Sequence, residues 1–163
     1  MADTRELILA RLVTVCGAVE GVQAVGRNRL DVAGLARPAV IVQDAIEQLR
    51  DVPAGARYGE TARMELSPGV TVIARGGPAD VGALLSLYRS RVVAAVLRDA
   101  ELKTLTGANG GIRYEGCLVA PPDAEAKEYR LDITLVFTYL FVLGDLSAHS
   151  GLKAEACPRR QEP

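Results

Sequence analysis

The feature that most constrains the fold is a long alternating segment near the carboxyl end of the sequence, residues 129–142. Side chains in a β-strand point alternately to opposite faces, so this period of two predicts a strand with one face in the core. Residues 135–143 are apolar on both faces, which is typical of a strand covered on both sides or of one paired with another subunit. The apolar set on the first face is Leu131, Ile133, Leu135, Phe137, Tyr139 and Phe141.

Two segments have helical periodicity. Residues 4–19 form the first predicted helix, which Asp3 or Thr4 can cap, and Glu6 follows Asp3 at the spacing of a capping box. Residues 81–99 form the second, with Asp80 as its natural cap. A further helical turn is predicted over residues 100–105.

Shorter strands are predicted at residues 22–30, 39–43, 62–66, 70–75 and 112–119. The sequence Ser67-Pro68-Gly69 predicts a hairpin turn between two of them. In the last of these strands, alternation places Ile112, Tyr114, Gly116 and Leu118 on one face.

Residues 44–61 are the least regular part of the chain. Residues 45–50 could form one helical turn or continue the preceding strand, and residues 51–59 have the composition of a loop.

This order of segments predicts an α+β domain, an antiparallel or mixed β-sheet with two main helices packed on one face. We expect residues 1–146 to form that single domain and residues 147–163 to form a polar, flexible tail.

Composition excludes several classes of protein. A chain of 163 residues with 49% hydrophobic side chains and a net charge of -1 is expected to fold as one domain. Its longest apolar stretch is too short to span a membrane, so no membrane partner is expected. The 19 basic and 20 acidic side chains balance, which disfavours a nucleic-acid-binding protein. The first residues lack the layout of a signal peptide, which predicts cytosolic synthesis.

The residues that most often carry chemistry form no catalytic pattern. Residues 107–111 are glycine-rich but lack the lysine and hydroxyl residue of a phosphate-binding loop, and they lead into a strand. Cys16 and Cys117 are expected to be buried thiols, and Cys157 has no CxxC partner. His149 has no nucleophile and orienting acid beside it. We therefore predict no enzyme: no catalytic, cofactor-binding or metal-ligating residue is assigned, and no cofactor is expected.

Arginines are scattered without a long run. Groups such as Arg27/Arg29 and Arg89/Arg91/Arg98 suit a solvated surface, and they equally suit a partly desolvated contact between proteins.

Several stretches share the pattern of a known family. They run from residues 4–12 through residues 27–29, 37–42 and 64–68 to the helix at residues 84–99. The most telling stretch is residues 106–117, Thr-Gly-Ala-Asn-Gly-Gly-Ile-Arg-Tyr-Glu-Gly-Cys, which the strand at residues 131–141 follows. Over residues 3–146 the chain resembles the tail terminator proteins (minor tail protein U-like, tail completion) of long-tailed bacteriophages and prophages.

The resemblance implies a structural role. Such a subunit would form a hexameric ring on the finished tail tube, stop its polymerisation and present a docking surface to the head connector. Its partners would be its own copies, the major tail tube protein and the head-completion or connector protein, with DNA only as passing cargo. It would be assembled in the host cytoplasm and reside in the tail–neck region of the virion. The family has no motif of catalytic residues to carry over.

Other interpretations stay open from the sequence. Another neck component, such as a head-closure or head–tail adaptor protein, is the nearest alternative, and a small ligand-binding domain or enzyme using residues 107–111 is a third. Two segments are candidates for contacts between subunits. For residues 135–143 the alternative is plain core packing, and for residues 44–61 it is a solvated loop.

Overall fold

A computed structural model of the protein describes residues 3–50, 59–108, 110–120 and 128–142. Those residues form three helices and five strands, so the predicted α+β class is confirmed. In chain order the elements are α1 (Thr4–Gly17), β1 (Ala24–Arg27), β2 (Ala39–Arg50), β3 (Thr61–Arg75), α2 (Val81–Arg98), α3 (Ala100–Thr106), β4 (Gly111–Val119) and β5 (Glu128–Val142).

The strands form one mixed sheet in the order β1-β2-β3-β5-β4. β1 is parallel to β2, and every other neighbouring pair is antiparallel. β3 and β5 lie at the centre and pair with each other from Thr61 opposite Val142 to Arg75 opposite Glu128. Because β4 covers the other edge of β5 from Leu131 to Thr138, that part of β5 cannot pair with another subunit. On the faces of β5, Leu135, Val136, Phe137 and Thr138 are buried, as a strand covered on both sides requires, whereas Leu140 and Val142 are exposed.

The helices pack against one face of this sheet around a single core. Alternate residues of β3 and β5, such as Leu66 and Phe137, are fully buried against Leu9 of α1 and Val92 of α2. Leu102 of the short helix α3 joins the same core. We call this the helix face of the sheet and the other the open face. Among the described residues, no helix combines the length and apolar character needed to cross a membrane.

β3 is one continuous strand, so the predicted hairpin turn at Ser67-Pro68-Gly69 is wrong. The pairing register of β2 shifts there, and Asp44 and Ala45 of β2 lie against the single Pro68 of β3. Proline cannot donate a ladder hydrogen bond, and a bulge in the neighbouring strand is a place where a sheet tolerates it.

β2 and β1 also differ in length from their predictions. β2 continues to Arg50, so the strand alternative for residues 45–50 is correct, whereas β1 spans only Ala24–Arg27. The predicted loop at residues 51–59 lies outside the described residues except for Gly59, and the predicted tail at residues 147–163 lies wholly outside them.

A bulge changes the face assignment in β4. The register shifts between Tyr114 and Gly116, so Tyr114 lies opposite Leu135 and Cys117 lies opposite Ile133, both core residues. Cys117 therefore shares the helix face with Tyr114, and the predicted alternation is wrong beyond Glu115. Gly116 has a φ of 147°, a backbone conformation that favours glycine.

The helix caps agree only in part with the sequence. The Asp3 carboxylate accepts a hydrogen bond from the Arg5 amide at 3.0 Å, as predicted. Asp80 is the N-cap residue of α2, as predicted, but its side chain makes no capping hydrogen bond. Asp99 caps α3 by accepting from the Leu102 amide at 2.8 Å, and it also binds the Arg11 guanidinium of α1 at 2.7 and 3.1 Å.

Replacing Asp99 should separate its two roles. We expect Asp99→Ala to lower the free energy of unfolding by about 1–2 kcal/mol because both the cap and the ion pair are lost. Asp99→Asn should cost less, since an amide oxygen still caps the helix. Urea denaturation at neutral pH measures both, and an Asn variant as unstable as the Ala variant would contradict the capping role.

A buried ion pair holds the β1–β2 connection over the open face. The side chains of Arg37 and Glu128 are only 6% and 5% exposed, and their nearest atoms lie 2.6 Å apart. Arg37 also donates to the carbonyl of Val32 at 2.8 Å. Val32 lines a cavity of about 170 Å³ together with the buried Ile41 of β2 and Ile73 of β3, so this connection covers one end of the open face.

Loss of the Glu128 charge should be costly. We expect Glu128→Gln to lower the free energy of unfolding by about 3 kcal/mol, because the buried Arg37 guanidinium is left without its counter-charge. Arg75→Gln is the matched control: Arg75 binds the same carboxylate at 3.0 Å but is 57% exposed, so its loss should cost about 0.5 kcal/mol. Equal losses in urea denaturation would contradict this interpretation.

Candidate functional site

β4 presents an exposed edge of the sheet. It pairs only with β5, so the outer backbone groups of Gly111–Val119 have no strand partner in the described chain. Leu118 and Val119 are 68% and 54% exposed, and Tyr114 is also exposed. An unpaired strand with exposed apolar side chains is a surface suited to adding another strand.

A groove runs between this edge and helix α2. One part has a volume of about 550 Å³ and the other about 260 Å³, and Arg89 lines both. We call it the α2–β4 groove. Its lining includes Val81, Leu85, Arg89, Val93, Leu97 and Arg98 of α2, Tyr114, Cys117 and Val119 of β4, and Leu131 of β5.

The groove is apolar with two arginines along it. Neither Arg89 nor Arg98 forms a hydrogen bond or salt bridge with another residue in the described part of the chain. Arg91 of the same helix, by contrast, binds the carboxylate of Glu20 at 3.2 Å. Among the described residues the positive charge of the groove has no counter-charge, which favours an acidic partner.

The two described cysteines lie in different environments. Cys16 is buried in the core, as predicted, and burial raises the pKa of its thiol to about 12. Cys117 is exposed in the α2–β4 groove, so its predicted burial is wrong. Interaction with the Cys117 side chain raises the pKa of the Tyr114 hydroxyl. The bulge places Cys117 on the helix face, but β4 is the edge strand, so its side chain lines the open groove beside α2 and is not enclosed in the core.

A second unpaired edge lies at the opposite end of the sheet. β1 pairs with β2 only from Ala39 to Val42. Beyond the bulge residues Asp44 and Ala45, residues 46–50 pair with β3 on one side and with no described strand on the other. We call residues 44–50 the β2 arm. Ile46 and Leu49 of this arm are 69% and 43% exposed.

Carboxylates cluster where the β2 arm meets the start of α1. Arg27 binds Asp44 at 2.6 Å and Glu6 at 2.8 Å, and these hydrogen bonds hold the pKa of both carboxyls below their usual values. Glu47 accepts a hydrogen bond from the Tyr139 hydroxyl, whose pKa is raised by burial first and by this bond second.

The charges of this cluster do not cancel. Its four carboxylates face only two guanidiniums, which leaves a net negative charge. The members are Asp3, Glu6, Asp44 and Glu47 with Arg5 and Arg27.

One carboxylate on the open face links the two edges. Glu65 of β3 is buried and accepts from Arg50 of the β2 arm at 2.7 Å and from Arg113 of β4 at 3.3 Å. The Arg50 hydrogen bond is the largest cause of a pKa below the usual 4.5 for Glu65. Both exposed edges are thus held in place through the central strand.

The Glu65 linkage predicts a pH dependence of stability. Because the pKa is lower in the folded chain than in the unfolded chain, the stabilisation is present above pH 4.5 and is lost as the pH falls through the folded value. We expect Glu65→Gln to lower the free energy of unfolding by about 1 kcal/mol at neutral pH, and by less near about pH 3. Glu115→Gln, which removes an exposed partner of Arg113, is the control and should change little. A loss at Glu65 that is independent of pH would contradict the ionic explanation.

The other candidate residues from the sequence are dispersed. Gly107, Gly110 and Gly111 line a small cavity between α3 and β4 with Lys103, and a strand follows them, as predicted. Asn109, His149 and Cys157 lie outside the described residues. Among the described residues, no group of three or more His, Cys, Asp or Glu side chains is placed to hold a metal ion.

Comparison with known proteins adds no relative to this description: the chain matches no family model, and no curated protein matches it significantly.

Proposed function

We propose that this protein is a structural, non-enzymatic subunit of the tail terminator class, which assembles into a ring that caps the tail tube of a long-tailed bacteriophage. The ring stops polymerisation of the tube and provides the docking surface for the head connector. The observation that carries the proposal is the pair of unpaired strand edges, β4 and the β2 arm, at opposite ends of one sheet.

Two different adhesive patches favour a ring over a simple dimer. A symmetric dimer uses the same patch of both copies, whereas a patch that binds a different patch of the next copy produces a head-to-tail chain. Such a chain closes into a ring when the rotation between copies allows it. The β4 edge and the β2 arm differ in charge and in neighbouring elements, so they suit head-to-tail contact.

The resemblance to tail terminators supports the same assignment. Its most telling stretch, residues 106–117, includes the end of α3, the following turn and most of β4. Those residues form the exposed edge itself. That resemblance supplies four further parts of the proposal: the number of six subunits in the ring, the tube and connector partners, the passage of DNA and the location in the virion neck.

A charge on the exposed edge should prevent ring assembly. We expect Leu118→Lys to yield monomers with unchanged folding, within about 0.5 kcal/mol, because the side chain is exposed in the monomer and buried in the ring. Leu87→Lys is the matched control: Leu87 is 44% exposed on α2 and does not line the groove, so its variant should still assemble. Light scattering and native mass spectrometry measure the assembly state.

Reconstitution with tail components tests the biological role. Added to polymerising tube protein, the wild-type chain should bind the tube end and fix the tube length, and Leu118→Lys should do neither. A chain that remains monomeric and never binds tubes would refute the proposal. Binding to connectors without binding to tubes would instead indicate a head-closure or adaptor protein.

A further inference from the structure

We propose that neighbouring subunits join by β-sheet addition: the β2 arm of one copy pairs with the β4 edge of the next and lays its helix-face side chains into the α2–β4 groove. This inference rests on the proposed ring and specifies its contact surface. It is drawn from strand direction, the faces of the exposed side chains, and charge.

Strand direction permits the pairing. β2 runs antiparallel to β3, β3 to β5, and β5 to β4, so β2 and β4 of one copy run in opposite directions. A rotation axis roughly along the strands preserves these directions in the next copy. The β2 arm and the neighbouring β4 edge therefore meet as antiparallel strands, a pairing that needs no reversal of either subunit.

The exposed apolar residues match on both faces of the sheet. Leu49 lies opposite the core residue Met64 and so belongs to the helix face, as do Tyr114 and Val119 along the groove. Each edge also has an exposed apolar residue on the open face. In the arm it is Ile46, which lies opposite Ser67, and in β4 it is Leu118, which lies opposite Asp132. Continuing the sheet from copy to copy would bury exposed apolar side chains on both of its faces.

The position of β1 limits the contact to the arm. β1 covers β2 from Ala39 to Val42, and the Asp44 amide donates to the Asn28 side chain at 2.8 Å, so a neighbouring β4 can reach β2 only over residues 45–50. Pairing there displaces each subunit along the strands relative to the last. A closed sheet requires such a stagger, because its strands must tilt to close.

Charge complementarity selects the same partner. The carboxylate cluster beside the β2 arm has net negative charge, and Arg89 and Arg98 along the groove have no ion-pair partner in the described chain. Both features lie on the helix side of the sheet. Edge pairing would place the acidic cluster of one copy next to the free guanidiniums of its neighbour, with opposite charges facing each other.

A crosslink between the two edges tests this contact. We would use full-length Cys157→Ser protein carrying Leu49→Cys and a short bifunctional maleimide, since Cys117 is exposed in the groove and Cys16 is buried. Each copy then carries one reactive thiol on each edge. We expect a ladder of covalent oligomers up to the full ring, abolished by adding Cys117→Ser.

The neighbouring position on the same strand supplies the control. Gln48 is exposed like Leu49 but lies opposite Glu65, on the open face, so the sheet separates it from Cys117 of the next copy. Gln48→Cys should give at least tenfold less of the ladder. Equal ladders from both variants would overturn the proposed pairing.

The assembly state distinguishes failure of the contact from failure of the function. Rings detected by light scattering, with no ladder from Leu49→Cys, would overturn the edge pairing and leave the ring proposal standing. A chain that stays monomeric before crosslinking at every concentration would overturn both.

Discussion

The antiparallel pairing of β3 with β5 is the constraint on which the rest of the structure depends. Each strand has fifteen residues, and their alternate apolar side chains join those of all three helices in one core. β1 and β4 are shorter and cover only parts of their neighbours. β2 follows β3 as far as Arg50, whereas β1 covers only Ala39–Val42 of β2, and this difference in length between β1 and β2 leaves the β2 arm free.

The elements that could be predicted from the sequence are those with long and regular periodicity. The apolar residues of α1, α2 and β5 recur at a regular spacing over many positions. One or two residues that depart from the spacing therefore do not change the predicted element. β3 could not be predicted as one strand, because Pro68 is a strong local turn signal. The feature that accommodates it is a bulge in another strand, which no local pattern reveals. In β4 the bulge at Glu115 reversed the face of Cys117 in the same way.

The candidate interface was only partly predictable. The sequence indicated residues 44–61 as a contact candidate, and the β2 arm lies within that range. The α2–β4 groove depends on how α2 packs against an edge strand, which is a property of the tertiary structure. A signal was nevertheless present: Leu118 and Val119 are adjacent apolar residues, and adjacent positions in a strand point to opposite faces. In a monomer an edge strand can bury apolar side chains on one face, so the apolar residues on its other face stay exposed.

The bulge in β4 has a consequence for the newly made chain. An unpaired strand edge can recruit any extended polypeptide, including the edges of unfolding or misfolded neighbours. β4 interrupts its own edge at Glu115, where the bulge breaks the regular spacing of backbone groups, and charged Arg113 lies beside it. A long extended segment that pairs across Glu115 therefore meets a geometric mismatch and two charges, which disfavours its addition to this edge.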